Sequence, residues 1–136
     1  MRGLLPALLL TFATAASGDE LTCRALTEFA ESANETTLGL GPAKCSHSLV
    51  LGAGPSFDCY WSYGFRSSEA EKAFAELQSL ILNCTACCKE ADGADVNHPD
   101  SFDQLTAEFG VHELSLSWKD EGALEQTLIF LRASQP

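Results

Sequence analysis

Phe57-Asp58-Cys59-Tyr60-Trp61-Ser62-Tyr63-Gly64-Phe65-Arg66-Ser67-Ser68 decides the fold. Phe57, Cys59, Trp61, Tyr63 and Phe65 alternate with Asp58, Tyr60, Ser62, Gly64 and Arg66. That is the period of a strand with one buried face, and Cys59 lies on the buried side. A helix starts at once. Ser68 followed by Glu71 reads as a capping box, in which the serine oxygen takes an orphan amide and the glutamate reaches back. Ala70, Ala73, Phe74, Leu77, Leu80, Ile81 and Cys84 then form one apolar stripe at helical spacing.

The two lengths match. Cys59 to Phe65 spans about 20 Å at strand rise, and Ser68 to Cys84 about 24 Å at helical rise. A helix folded back over its own strand brings Cys84 level with Cys59, both pointing inward. Cys59–Cys84 is therefore the favoured single bridge among six cysteines: Cys23, Cys45, Cys59, Cys84, Cys87 and Cys88. Six cysteines allow fifteen complete pairings, and spacing alone selects none of them.

Upstream, His47 to Leu51 reads as a strand, and the turn Gly52–Ser56 joins it to Phe57–Phe65 as a hairpin. Leu38-Gly39-Leu40-Gly41-Pro42 and Leu51-Gly52-Ala53-Gly54-Pro55 are near copies. Neither has the third glycine or the Gly-Lys-Ser/Thr ending of a phosphate loop, and both read as Gly-Pro turns. Asp19 to Ala33 reads as a helix, with Leu21, Ala25, Leu26, Phe29, Ala30 and Ala33 near helical spacing. Met1-Arg2-Gly3, the apolar run Leu4 to Phe12 and the small residues Ala13 to Gly18 have the form of a secretory signal peptide, too short for a membrane span. Thr22 before Cys23 does not suit a lipid anchor. Residues 1–18 are thus expected to be cleaved, leaving 19–136 as one domain exported to the periplasm or secreted.

Downstream, Cys84 to Pro99 is a long polar connection. Ser101 to Phe109 reads as a short helix on Phe102, Leu105 and Phe109, ended by Gly110. Val111 to Trp118 alternates, with His112, Leu114, Leu116 and Trp118 on one face. Lys119-Asp120-Glu121-Gly122 is a turn, and Leu124 to Leu131 returns, pairing Trp118 with Leu124, Leu114 with Leu128 and His112 with Phe130. The main elements run helix, hairpin, helix, hairpin. The expected class is α+β, an antiparallel sheet of about four strands with two helices packed on one face, stapled by disulfides.

The net charge is −11, and loss of residues 1–18 removes Arg2 and no acid, taking it to −12. Such a chain repels nucleic acid and anionic membranes and attracts a basic protein partner. No catalytic constellation stands out. Cys84-x-x-Cys87-Cys88 resembles a redox motif in spacing, but Cys84 ends a helix, where the dipole opposes a thiolate. In an exported chain the thiols are expected to oxidise, so no metal or other cofactor is expected. The alternative is an enzyme or metal-binding protein built on Asp95-Val96-Asn97-His98-Pro99-Asp100 with Cys84, Cys87 and Cys88. Asp95, His98 and Asp100 offer acid–base or ligand chemistry there, while Asn97 and Asp100 suit a turn that caps the next helix. As an interaction loop, Asp95, Asn97, His98 and Asp100 are the first choice. His112 reads as a half-buried sheet residue. Asn34-Glu35-Thr36 and Asn83-Cys84-Thr85 match the glycosylation pattern, which matters only in a eukaryotic host. The second is compromised if it lies at the end of a packed helix, and the short signal with its alanine-rich cleavage region points to a bacterium.

Overall fold

The computed structural model describes residues 18–34, 38–49, 54–85, 88–91 and 102–135. Helix α1 spans Gly18–Ser32 and strands β1 and β2 span Lys44–Leu49 and Pro55–Gly64. Helix α2 follows at Ser68–Cys84, then β3 at Cys88–Ala91, β4 at Phe102–Phe109, β5 at His112–Glu121 and β6 at Gln126–Ser134. The strands form one antiparallel sheet in the order β1-β2-β6-β5-β4-β3. The first hairpin therefore docks beside the last strand. Helix α2 carries the chain from β2 to the far edge of the sheet.

Both helices lie on one face. Leu26 and Phe29 of α1 and Leu77 and Ile81 of α2 are buried against Phe57, Cys59 and Trp61 of β2, Leu114 and Leu116 of β5, and Ile129, Leu131 and Ala133 of β6. Each large side chain sealed in this way contributes about 1.5–3 kcal/mol relative to exposure. The alternation of Phe57, Cys59, Trp61 and Tyr63 is thus the core face of β2, and the α+β class holds.

Several local expectations change. The N-cap of α2 is Ser67, whose Oγ accepts the Ala70 amide, so the helix begins one residue before the Ser68–Glu71 box places it. The helix expected over Ser101–Phe109 does not form: Phe102–Phe109 is strand β4, paired on both sides, and Ser101 lies outside the described residues. Leu105 and Ala107 are its buried positions, a period of two. The two-residue loop Gly110–Val111, with Gly110 at φ 61°, forces the hairpin that draws the segment into the sheet. Phe102, Leu105 and Phe109 also fit a helical spacing, and cross-strand pairing overrides it. The long connection after Cys84 contains strand β3. The sheet accordingly has six strands among the described residues rather than about four.

The β5–β6 register also differs. Trp118 pairs with Ile129, Leu116 with Leu131 and Leu114 with Ala133. The expected Trp118–Leu124 register is displaced by five residues, an odd number, and an odd displacement exchanges the faces of a strand. Ile129 and Leu131 point into the core, while Leu128 and Phe130 point to the other side. The cause is the turn. Asp120 and Glu121 extend β5, and Gly122–Leu124 coils before Glu125 takes a left-handed conformation at φ 50°.

Among the described residues the bridges are Cys23–Cys84 and Cys45–Cys59, and not Cys59–Cys84. Bridged cysteines need Cα atoms within about 7 Å. Cys45 stands directly opposite Cys59 across β1 and β2, at a Cα separation of 4.1 Å. Helix α1 packs beside α2 and brings Cys23 to 5.5 Å from Cys84, Cα to Cα. Among the described residues, each of these four cysteines joins a neighbour within its own layer, and neither bridge crosses from helix to sheet.

Candidate functional site

Two polar or mixed clusters emerge, on opposite faces of the sheet. The first lies at the end of the helix-covered face. Asp120 is 1% exposed. Its Oδ1 accepts from Trp118 Nε1 at 2.8 Å and Thr127 Oγ1 at 2.6 Å, and its Oδ2 accepts from Arg66 Nε at 2.8 Å. Thr127 Oγ1 in turn accepts the Arg66 backbone amide at 2.9 Å. Trp118 meets Phe74 of α2 edge-to-face, with ring centroids 5.8 Å apart. Arg66 holds φ 49° in the turn from β2 to α2. The carboxylate thus clamps that turn to the β5–β6 hairpin. The arrangement is suited to fixing structure.

The second cluster lies on the sheet face away from both helices. Register places three rows across it. Lys44, Tyr60, Phe130 and Ser117 stand side by side on β1, β2, β6 and β5. The Tyr60 and Phe130 rings lie 5.3 Å apart, and Lys44 Nζ is 6.0 Å from the Tyr60 ring centre. On one side of this row, Asp58 faces Arg132 in an ion pair and also accepts from Ser48 Oγ at 3.2 Å. Gln104 Nε2 donates to Ser115 at 2.7 Å beyond it. On the other side Leu128 stands between Ser62 and Lys119. Lys119 pairs with Glu121 at 3.1 Å, and Glu121 accepts from Gln126 at 2.6 Å. The Gln126 hydrogen bond, followed by the one to Lys119, holds the Glu121 carboxyl below its ordinary range. An aromatic and aliphatic centre is therefore bounded by charged and amide side chains whose hydrogen bonds hold them in place.

No known family model matches the chain, and neither curated proteins nor solved structures give a match. The reading of the site rests on its own geometry.

The residues singled out from the sequence fall elsewhere. Asp95, Asn97, His98, Asp100 and Cys87 lie outside the described residues, and Cys88 opens β3 opposite Ala107. Cys84 is half of a disulfide and has no thiolate to give to a metal or a substrate. Among the described residues no three His, Cys, Asp or Glu side chains gather in a way that could hold a metal ion. The His47 ring lies tilted against Phe57, with centroids 4.9 Å apart, and His112 is half-buried opposite Phe109. No helix among the described residues is long and apolar enough to cross a membrane.

The sequence reading passed over both clusters. Asp120 was legible in principle, because the alternation Leu114, Leu116, Trp118 continues to it. Phe130 was not, since its face depends on the β5–β6 register.

Proposed function

We propose that this protein is a non-enzymatic, exported binding domain that holds a basic protein partner against the open face of its sheet. The observation that carries the proposal is the Tyr60–Phe130 pair. It lies at the centre of a sheet face that neither helix covers, half-buried beside the buried Leu128 and within a ring of polar side chains. Apolar centres with polar rims are the anatomy of protein interfaces, and tyrosine and arginine supply much of their binding energy.

Charge argues for the kind of partner. The chain carries a net charge of −11, and its helices are acidic, with Glu28, Glu31, Glu69, Glu71 and Glu76 outnumbering Arg24 and Lys72. The open face itself carries Lys44, Lys119 and Arg132 with Asp58 and Glu121, so the attraction comes from the field of the whole molecule. An acidic molecule draws in a basic one and raises its rate of encounter. The signal-like residues 1–18 and the two disulfides suit a protein delivered to an oxidising compartment, the periplasm or the cell exterior.

The test is capture of a partner from the secreted or periplasmic fraction, followed by titration of the isolated partner. Affinity is expected to fall as salt rises. Tyr60→Ala and Phe130→Ala should weaken binding at least about tenfold each, as truncation of central aromatic anchors does. Affinity that is indifferent to salt and to both substitutions would overturn the proposal.

A further inference from the structure

Asn83-Cys84-Thr85 is an N-glycosylation sequon whose middle residue is a bridged cysteine. Asn83 is exposed on the last turn of α2, away from the Ala70, Ala73, Leu77 and Ile81 stripe. A glycan on its amide therefore meets solvent and leaves the core packing intact. The folded sequon, however, is a poor substrate. Asn83 and Cys84 are helical, and the Thr85 hydroxyl, which the transferase must engage, donates to the Ile81 carbonyl at 2.7 Å. Cys84 is also tied to Cys23, which lies 61 residues earlier. That bridge is unavailable until Cys84 itself has entered the lumen, so a window exists in which the sequon is extended and open.

We infer that Asn83 is a glycan acceptor in a eukaryotic secretory host, and that closure of the Cys23–Cys84 bridge with the end of α2 competes with the transfer. In that step the Asn83 amide nitrogen bonds to C1 of a lipid-linked oligosaccharide. The C1–oxygen bond to the lipid diphosphate breaks, the diphosphate departs, and the amide proton passes to a base of the transferase. The second sequon, Asn34-Glu35-Thr36, follows the end of α1. Asn83 lies on α2 in the helix layer, so a sugar there leaves the Tyr60–Phe130 face clear. The inference rests on the export proposed above.

The experiment expresses the full chain in a eukaryotic secretory line and reads peptide-N-glycosidase mobility shifts on cell and medium fractions. Asn34→Gln isolates the Asn83 sequon. It should show one glycosidase-sensitive band at partial occupancy, and adding Asn83→Gln should abolish it. Adding Cys23→Ala to Asn34→Gln frees Cys84 without altering the sequon, and occupancy in the cell fraction should rise toward completion. Asn34→Gln secreted with no sensitive band overturns the acceptor site while sparing the export reading. A chain that never reaches the lumen overturns both. Occupancy unchanged by Cys23→Ala overturns the competition. Because Cys23→Ala is read before secretion, a folding defect in that variant does not obscure the result.

Discussion

Replacing Asp120 by alanine is the sharpest test of how this fold is held. The side chain is 1% exposed and accepts three hydrogen bonds, from Trp118, Thr127 and Arg66. Removal leaves the Thr127 hydroxyl, on a residue that is fully buried, and the Trp118 indole without their acceptor. Each stranded donor costs about 1–3 kcal/mol. Arg66 is a different matter. Its side chain is 54% exposed and regains water, so its share of the ion pair is under about 1 kcal/mol. The sum is a loss of about 2–7 kcal/mol, in the lower half of that range because the half-buried Trp118 indole regains some water. Asp120→Asn keeps one acceptor oxygen for Trp118 and Thr127 and forfeits the charge, so its loss should be about 1–2 kcal/mol. The measurement is urea denaturation of the oxidised protein, with the midpoint falling at unchanged slope. A loss below about 1 kcal/mol for Asp120→Ala would show that the cluster is not a clamp, and the account of the β2–α2 turn would fail with it.

The two disulfides should differ in worth. The Cys23–Cys84 loop closes 61 residues and the Cys45–Cys59 loop 14. Chain entropy then assigns about 4 and about 3 kcal/mol to them, so Cys23→Ala/Cys84→Ala should lower the denaturation midpoint further than Cys45→Ala/Cys59→Ala. The acid and alkaline limbs of stability are separable by two substitutions. Glu121 is held below its ordinary pKa by Gln126 and then Lys119, so its contribution is present above the unfolded carboxylate value and is lost as pH falls through the folded one. Glu121→Gln should flatten the acid limb of a melting-temperature profile. Tyr63 is pushed above 10.0 by burial and then by Glu76. Its contribution is present below that value and is lost as pH rises through the raised one, so Tyr63→Phe should flatten the alkaline limb.

Elements with strong local patterns were legible in the sequence. Asp19–Ala33 and Ser68–Cys84 carry apolar stripes at helical spacing, and both are helices within a residue or two. Phe57–Phe65 alternates without ambiguity, and so does His112 to Trp118. The failures came where two periods fitted or where a partner strand decided. Phe102, Leu105 and Phe109 satisfy a helical spacing while Leu105 and Ala107 satisfy a strand, and only pairing with β3 and β5 settles the choice. Leu128-Ile129-Phe130-Leu131 is apolar on both faces, so its pattern could not say which side meets the helices.

Periodicity and capping chemistry act over a few residues, and the sequence by itself therefore determined helices α1 and α2, the first hairpin, the acidity and the α+β class. The disulfide partners, the register of β5 on β6 and the open face all depend on residues far apart in the chain. Cys59 and Cys84 were each correctly placed along their own elements. Their partners were set by packing within a layer, where β1 lies beside β2 and α1 beside α2. The same long-range packing turned Phe130 away from the core and set it beside Tyr60, creating the surface proposed to bind.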